Sequence, residues 1–139
     1  RYLEMRGADG VPLQQLPALP AFWAGLLYDD VSLDAAWDIA REWDTATRQA
    51  MRDAVPRLGF KTPVGKRYIF EVARECLVLA HAGLRRRARV DHLGRDESRF
   101  LEPLDRIIDA GRTPAEEMLT KFNGVWGGSV DPVYDAYAF

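Results

Sequence analysis

Between Tyr68 and Val90, the residues Ile69, Ala73, Cys76, Ala80 and Leu84 recur at three- and four-residue spacing. That period sets them on one stripe of a long α-helix, and such a stripe must be buried against other elements. The rest of the chain offers partners of the same kind. Pro20 suits the first turn of a helix carrying Phe22, Trp23, Leu26 and Leu27. Asp30 or Ser32 can cap a second helix, with Leu33, Ala36, Trp37 and Ala40 on its apolar side. Asp44 or Thr45 can start a third, which Pro56 and Gly59 end. After Gly94, Phe100, Leu104, Ile107 and Ile108 mark another helix, closed by Gly111. Thr113-Pro114-Ala115-Glu116 is a capping box with proline at the first helical position, followed by Met118, Leu119 and Phe122. Asp131-Pro132 repeats that signal before a short helix with Val133 and Tyr137. The aromatic residues Phe22, Trp23 and Trp37 read as core. The fold class expected is mainly α.

One segment breaks the pattern. Tyr2-Leu3-Glu4-Met5-Arg6 alternates, with Leu3 and Met5 on one side and Glu4 and Arg6 on the other, which is strand spacing. Gly7 and Asp9-Gly10 then turn the chain, and Val11 to Pro17 reads as a loop. A single strand cannot satisfy its own backbone N–H and C=O groups. No later segment offers a convincing partner, so the sheet it joins is expected upstream in a longer parent protein or in a second copy. The expected organisation is one region, 1–139, made of a strand and turn over 1–10 and a helical shell over 18–139.

Composition narrows the class. With 139 residues, 47% hydrophobic and 29% charged, the chain can build one globular core. A net charge of -2 argues against a general polyanion binder, so no nucleic-acid partner is expected. The longest apolar run, Ala18 to Tyr28, is broken by Pro20 and Gly25 and is too short to span a bilayer, so no membrane partner is expected. The lone Cys76 excludes an internal disulfide framework and fits a reducing, cytoplasmic setting.

Glu4 and Arg6 carry the most chemistry. Two residues apart on a strand, they share a face, where a carboxylate offers Mg2+ a hard oxygen and a guanidinium offers phosphate a fork of donors. A cross-face ion pair on a solvated sheet explains the same spacing more plainly. Elsewhere the plain reading prevails. Asp9 fits an ordinary Asp-Gly turn. Arg85-Arg86-Arg87-Ala88-Arg89 fits a solvated helix C-terminus, where cations are favoured. His81 and His92 lack metal-pair spacing, Cys76 lies on its helix's apolar stripe, and Lys61-Thr62-Pro63 is a loop without an assigned role. Gly127-Gly128 lacks the lysine that follows in a phosphate-binding loop.

Four blocks nevertheless resemble one family in order: RYLEMRGADG at 1–10, LPALPAFWAGLLYDD at 16–30, GFKTP at 59–63 and RTPAEEMLTKFNGVWGGSVDPVYDAY at 112–137. They are similar to the C-terminal region of the plant and proteobacterial type of glutamate–cysteine ligase. The resemblance implies part of a glutamine-synthetase-like α+β enzyme that phosphorylates the γ-carboxylate of glutamate with MgATP. The amine of cysteine then attacks the acyl phosphate. It further implies that Glu4 is a Mg2+ ligand and that Arg6 is the catalytic, phosphate-binding arginine. ATP, glutamate, cysteine and the N-terminal remainder of the parent are the implied partners. The chain departs from the family at Gly10-Val11-Pro12-Leu13, where a glycine pair followed by Pro-Trp is common. Gln14 and Gln15 replace a basic pair, and Pro17 stands near a plant cysteine, so a redox switch built on that cysteine cannot operate here. With one candidate metal carboxylate, the chain alone is expected to be inactive. The rival classes are a non-catalytic helical interaction module and, below it, a phosphate or nucleic-acid binder using Arg85 to Arg89.

Overall fold

A computed structural model describes residues 4–5, 11–13 and 15–137. Its helices are α1 (Ala18–Leu27), α2 (Asp30–Ala40), α3 (Thr45–Leu58), α4 (Ile69–Arg87), α5 (Glu102–Ala110), α6 (Pro114–Asn123) and α7 (Pro132–Ala136). Short 3-10 turns occupy Gly59–Lys61 and Glu97–Leu101. The mainly helical class expected from the spacing is what the structure shows.

The centre is the crossing of α1 on α4. Leu26, Leu77, Ala80, Leu84 and Leu101 form its buried cluster, with Phe22, Trp23, Cys76 and Leu104 packed around it. Two glycines let the helix backbones touch. A Cβ on Gly25 would lie 2.8 Å from the Ala80 Cα, and one on Gly83 would lie 2.9 Å from the Ser32 Oγ and closer still to the Gly25 carbonyl. Any side chain at either position would force the helices apart.

A polar clamp closes the top of this crossing. Asp29 caps α2 by accepting from the Ser32 N–H at 2.9 Å. The fully buried Ser32 hydroxyl donates to the Leu79 carbonyl at 2.9 Å and accepts from Arg86 Nη2 at 2.8 Å. Arg86 also grips Asp29 through Nε at 3.0 Å and Nη2 at 2.6 Å, a forked ion pair joining the α1–α2 turn to the end of α4.

Several expectations need correction. The cap of α2 is Asp29, one residue before the expected pair, because only its carboxylate reaches the Ser32 amide. Pro56 lies inside α3 and does not end it; Gly59, at φ 50°, does. The long helix stops at Arg87, with Ala88 in the left-handed conformation, short of Val90. Trp37 is 59% exposed and is not core, since α2 buries a narrow side set by Ser32.

Among the described residues a small sheet stands where a loop was expected. β1 (Pro63–Val64) and β2 (Arg67–Tyr68) form an antiparallel hairpin turned by Gly65 at φ 59°. Of the expected N-terminal strand, only Glu4 and Met5 are among the described residues. Both are exposed and belong to neither helix nor strand.

Candidate functional site

The candidate site begins at the margin of the core. Glu4 is exposed at the chain's start, while Arg6 and Asp9 lie outside the described residues. From Val11 the chain winds inward through turns. The Gln15 N–H donates to the Pro12 carbonyl at 2.7 Å, and the Ala18 N–H donates to the Gln15 carbonyl at 3.0 Å, which starts α1. Pro17 to Pro20 then carry the chain into α1, which packs in the α1–α4 crossing.

Beside this stretch, Val11 and Pro12 form one wall of a cleft of about 680 Å³ closed by α5, α6 and Tyr137. Three cations line it. Arg106 pairs with Glu102 at 2.8 Å, Arg112 donates to the Thr120 hydroxyl at 2.8 Å, and Lys121 pairs with Glu117 at 3.1 Å. Lys121 also lies 5.5 Å from the centre of the Tyr137 ring. Glu117 holds the Lys121 ammonium above its ordinary pKa. Sequence reasoning passed over this grouping because 106, 112 and 121 belong to different elements. The Gly111 turn and the Thr113 capping box, both legible, are the signals that bring α5 and α6 together.

Two of the four arginines in the cluster are tied into the structure, while Arg85 and Arg89 are exposed. Arg86 belongs to the clamp, and Arg87 pairs with Glu97 at 3.4 Å and lies over the Tyr28 ring at 5.4 Å. Its neighbour loop is tied the same way, with Asp91 accepting from Arg95 at 3.0 Å and from Arg99. Those partners hold the Asp91 carboxyl well below the usual carboxylate range, Arg99 most strongly, as Arg86 does for Asp29.

His81 Nε2 meets Asp105 at 2.9 Å, bracing α4 on α5, while His92 is exposed. Cys76 is half-buried, and burial raises its thiol pKa, which makes it a packing group more than a nucleophile. Among the described residues, no group of three or more His, Cys, Asp or Glu could hold a metal ion. No helix among them is long and apolar enough to cross a membrane.

The structure therefore defines a helical chain whose candidate acidic ligand sits at its edge, outside its own core. The model of the Glutamate-cysteine ligase family 2 (GCS2) matches residues 1–136, and the chain belongs to that family. It is 50% identical over 135 residues to the chloroplastic glutamate–cysteine ligase of Arabidopsis thaliana, covering 97% of this chain and 25% of that relative. The chloroplastic ligase of Nicotiana tabacum is 45% identical over the same shares, and that of Brassica juncea is 46% identical over 96% of this chain and 25% of its own length. The chain thus spans about a quarter of the length of the relatives it matches. Their chloroplastic names overturn the cytoplasmic expectation and point to the plastid. The error has a plain cause: a cysteine count speaks to redox conditions and carries no address.

Proposed function

We propose that this chain is the C-terminal region of an ATP-dependent glutamate–cysteine ligase and supplies Glu4 and Arg6 to its phosphoryl-transfer site. The observation that carries the reading is the family match across 1–136, which includes the Glu4-Met5-Arg6 segment. The carboxylate of Glu4 fits Mg2+ in kind, as a hard and exposed oxygen donor. It does not fit in number, since one carboxylate cannot fill an octahedral shell; the remaining ligands belong to the rest of the parent enzyme or to water. Bound there, Mg2+ would neutralise charge on the ATP phosphates.

Arg6 would bind the transferring phosphoryl group by forked N–H donation to its oxygens, charge that grows in the transition state. The γ-carboxylate of glutamate takes that phosphoryl group, ADP leaves, and the cysteine amine displaces phosphate from the acyl phosphate to form the amide. In this scheme the catalytic work of Glu4 and Arg6 is to place charge and donors around the phosphates. Positioning of this kind is a large part of phosphoryl-transfer catalysis.

The test is made in the full parent enzyme. Glu4→Gln and Arg6→Ala should each lower kcat by about 100-fold or more, as expected for removal of one transition-state electrostatic contact. Their melting temperatures should stay within a degree or two of wild type, because Glu4 is outside the core. Near-wild-type turnover in both variants would refute the assignment. The 139-residue chain alone should make no γ-glutamylcysteine from ATP, glutamate and cysteine.

A further inference from the structure

The GFKTP block builds a second feature, remote in sequence from Glu4 and Arg6. Gly59, with its positive φ, turns the end of α3 into the 3-10 turn, and the hairpin then folds back so that the Ile69 N–H donates to the Thr62 carbonyl at 2.9 Å. This return brings Phe60 against Phe70, ring centres 5.3 Å apart and planes at 70°. With Lys61, Tyr68, Glu71 and Gly111, the two rings line an open pocket of about 520 Å³.

The pocket has the character of a small-molecule site, which is typically about 300–1,000 Å³, largely apolar and aromatic, with a few polar groups. Tyr68 is 55% exposed at its rim, while Phe60 and Phe70 are half-buried. The ionic groups are unequal. Glu71 is engaged, accepting from the Tyr68 N–H at 2.7 Å at the start of α4. Lys61 has no hydrogen bond and no carboxylate within ion-pair distance among the described residues, although its charge reaches Glu116. The start of the 19-residue α4 at the same pocket is already capped by Glu71, which leaves Lys61 as the group able to pair with an anion. Three rings therefore offer flat contact, and one ammonium keeps its charge-pairing capacity.

We infer that this pocket binds a small molecule made of a planar aromatic ring carrying an anionic group, with the ring against Phe60, Phe70 and Tyr68 and the anion on Lys61. Both a nucleotide and an aromatic carboxylate have this chemistry, and titration of the 139-residue chain by calorimetry separates them. The probes are AMP, adenosine, ribose 5-phosphate and benzoate. Saturable binding of AMP, with adenosine about tenfold weaker and ribose 5-phosphate not saturating, identifies a nucleotide; preference for benzoate identifies a carboxylate.

In either case, Lys61→Gln should weaken the preferred anion about tenfold and leave adenosine unchanged, while Lys61→Arg restores binding. Tyr68→Ala should weaken every ring-bearing probe a few-fold, the size of one stacking contact. Both positions are exposed, so circular dichroism of the variants should match wild type. Glu4→Gln should leave this binding intact, which separates the pocket from the ligase site. The inference falls if no probe saturates at millimolar concentration, if adenosine matches AMP and benzoate does not bind, or if Lys61→Gln changes nothing.

Discussion

The α1–α4 crossing and the segment bearing Glu4 are neighbours in the chain and opposites in physics. The crossing is built from within: glycines in backbone contact, buried leucines, and a buried serine whose hydroxyl both donates and accepts. Glu4 and Met5 are exposed and outside regular structure. The difference teaches a division of labour. Residues that fold this chain pack against one another across α1, α2 and α4, whereas Glu4, singled out for chemistry, stands at the surface.

The comparison can be broken hardest at Gly83. Gly83→Val drives methyl groups into the Gly25 carbonyl and the Ser32 hydroxyl, so α1 must leave α4. Overpacking costs typically about 1–3 kcal/mol, and a backbone clash belongs at or beyond the top of that range. The expected outcome in thermal unfolding is loss of a cooperative transition or a fall of more than 10 °C in Tm. A Tm near wild type would show that the crossing is softer than its geometry indicates.

Acid tests the clamp next. The Asp29 carboxyl is held low first by Arg86 and then by the Ser32 amide. A carboxyl with a lowered folded pKa contributes stability that is complete above its unfolded value, about 3.9, and is lost as pH falls through the folded one. Asp91, lowered chiefly by Arg99, acts in the same direction. Tm should be level from about pH 7 to pH 5 and fall steeply below about pH 4. Asp29→Asn should lower Tm at pH 7 and flatten part of the acid fall; an unchanged acid slope would remove the clamp from the account.

The smallest effect is expected at Thr62, which is fully buried with no hydrogen-bond partner for its hydroxyl among the described residues. Thr62→Val keeps the shape and removes an unsatisfied group. It should be neutral or stabilising by up to about 1 kcal/mol in denaturant unfolding. A loss of stability would mean that the hydroxyl is bonded to water. In that case the GFKTP region is wetter than the crossing.

How much of this could be read beforehand varied with the range of the interaction. The capping box at Thr113 and Glu116 was legible because both hydrogen bonds are local, and Gly111 closed α5 as its place predicted. Trp37 misled because hydrophobicity says what a side chain prefers and not what lies opposite it. The hairpin at 63–64 and 67–68 was missed because two-residue strands carry no periodicity. Of the candidate site, Glu4 and Arg6 were singled out by strand spacing and a family resemblance, while the cations of the α5–α6 cleft gave no linear signal.

By itself the sequence determined the helical class, the capping box of α6, the glycine stops of α3 and α5, and membership in a ligase family, because these rest on spacing within a few residues or on long ordered blocks. Only the tertiary structure decided that Gly25 meets Gly83, that Arg86 belongs to Asp29 and Ser32, and that Phe60, Lys61 and Tyr68 open one pocket. Those are meetings between elements, set by how helices pack and which backbones can touch, and no local pattern of residues encodes them.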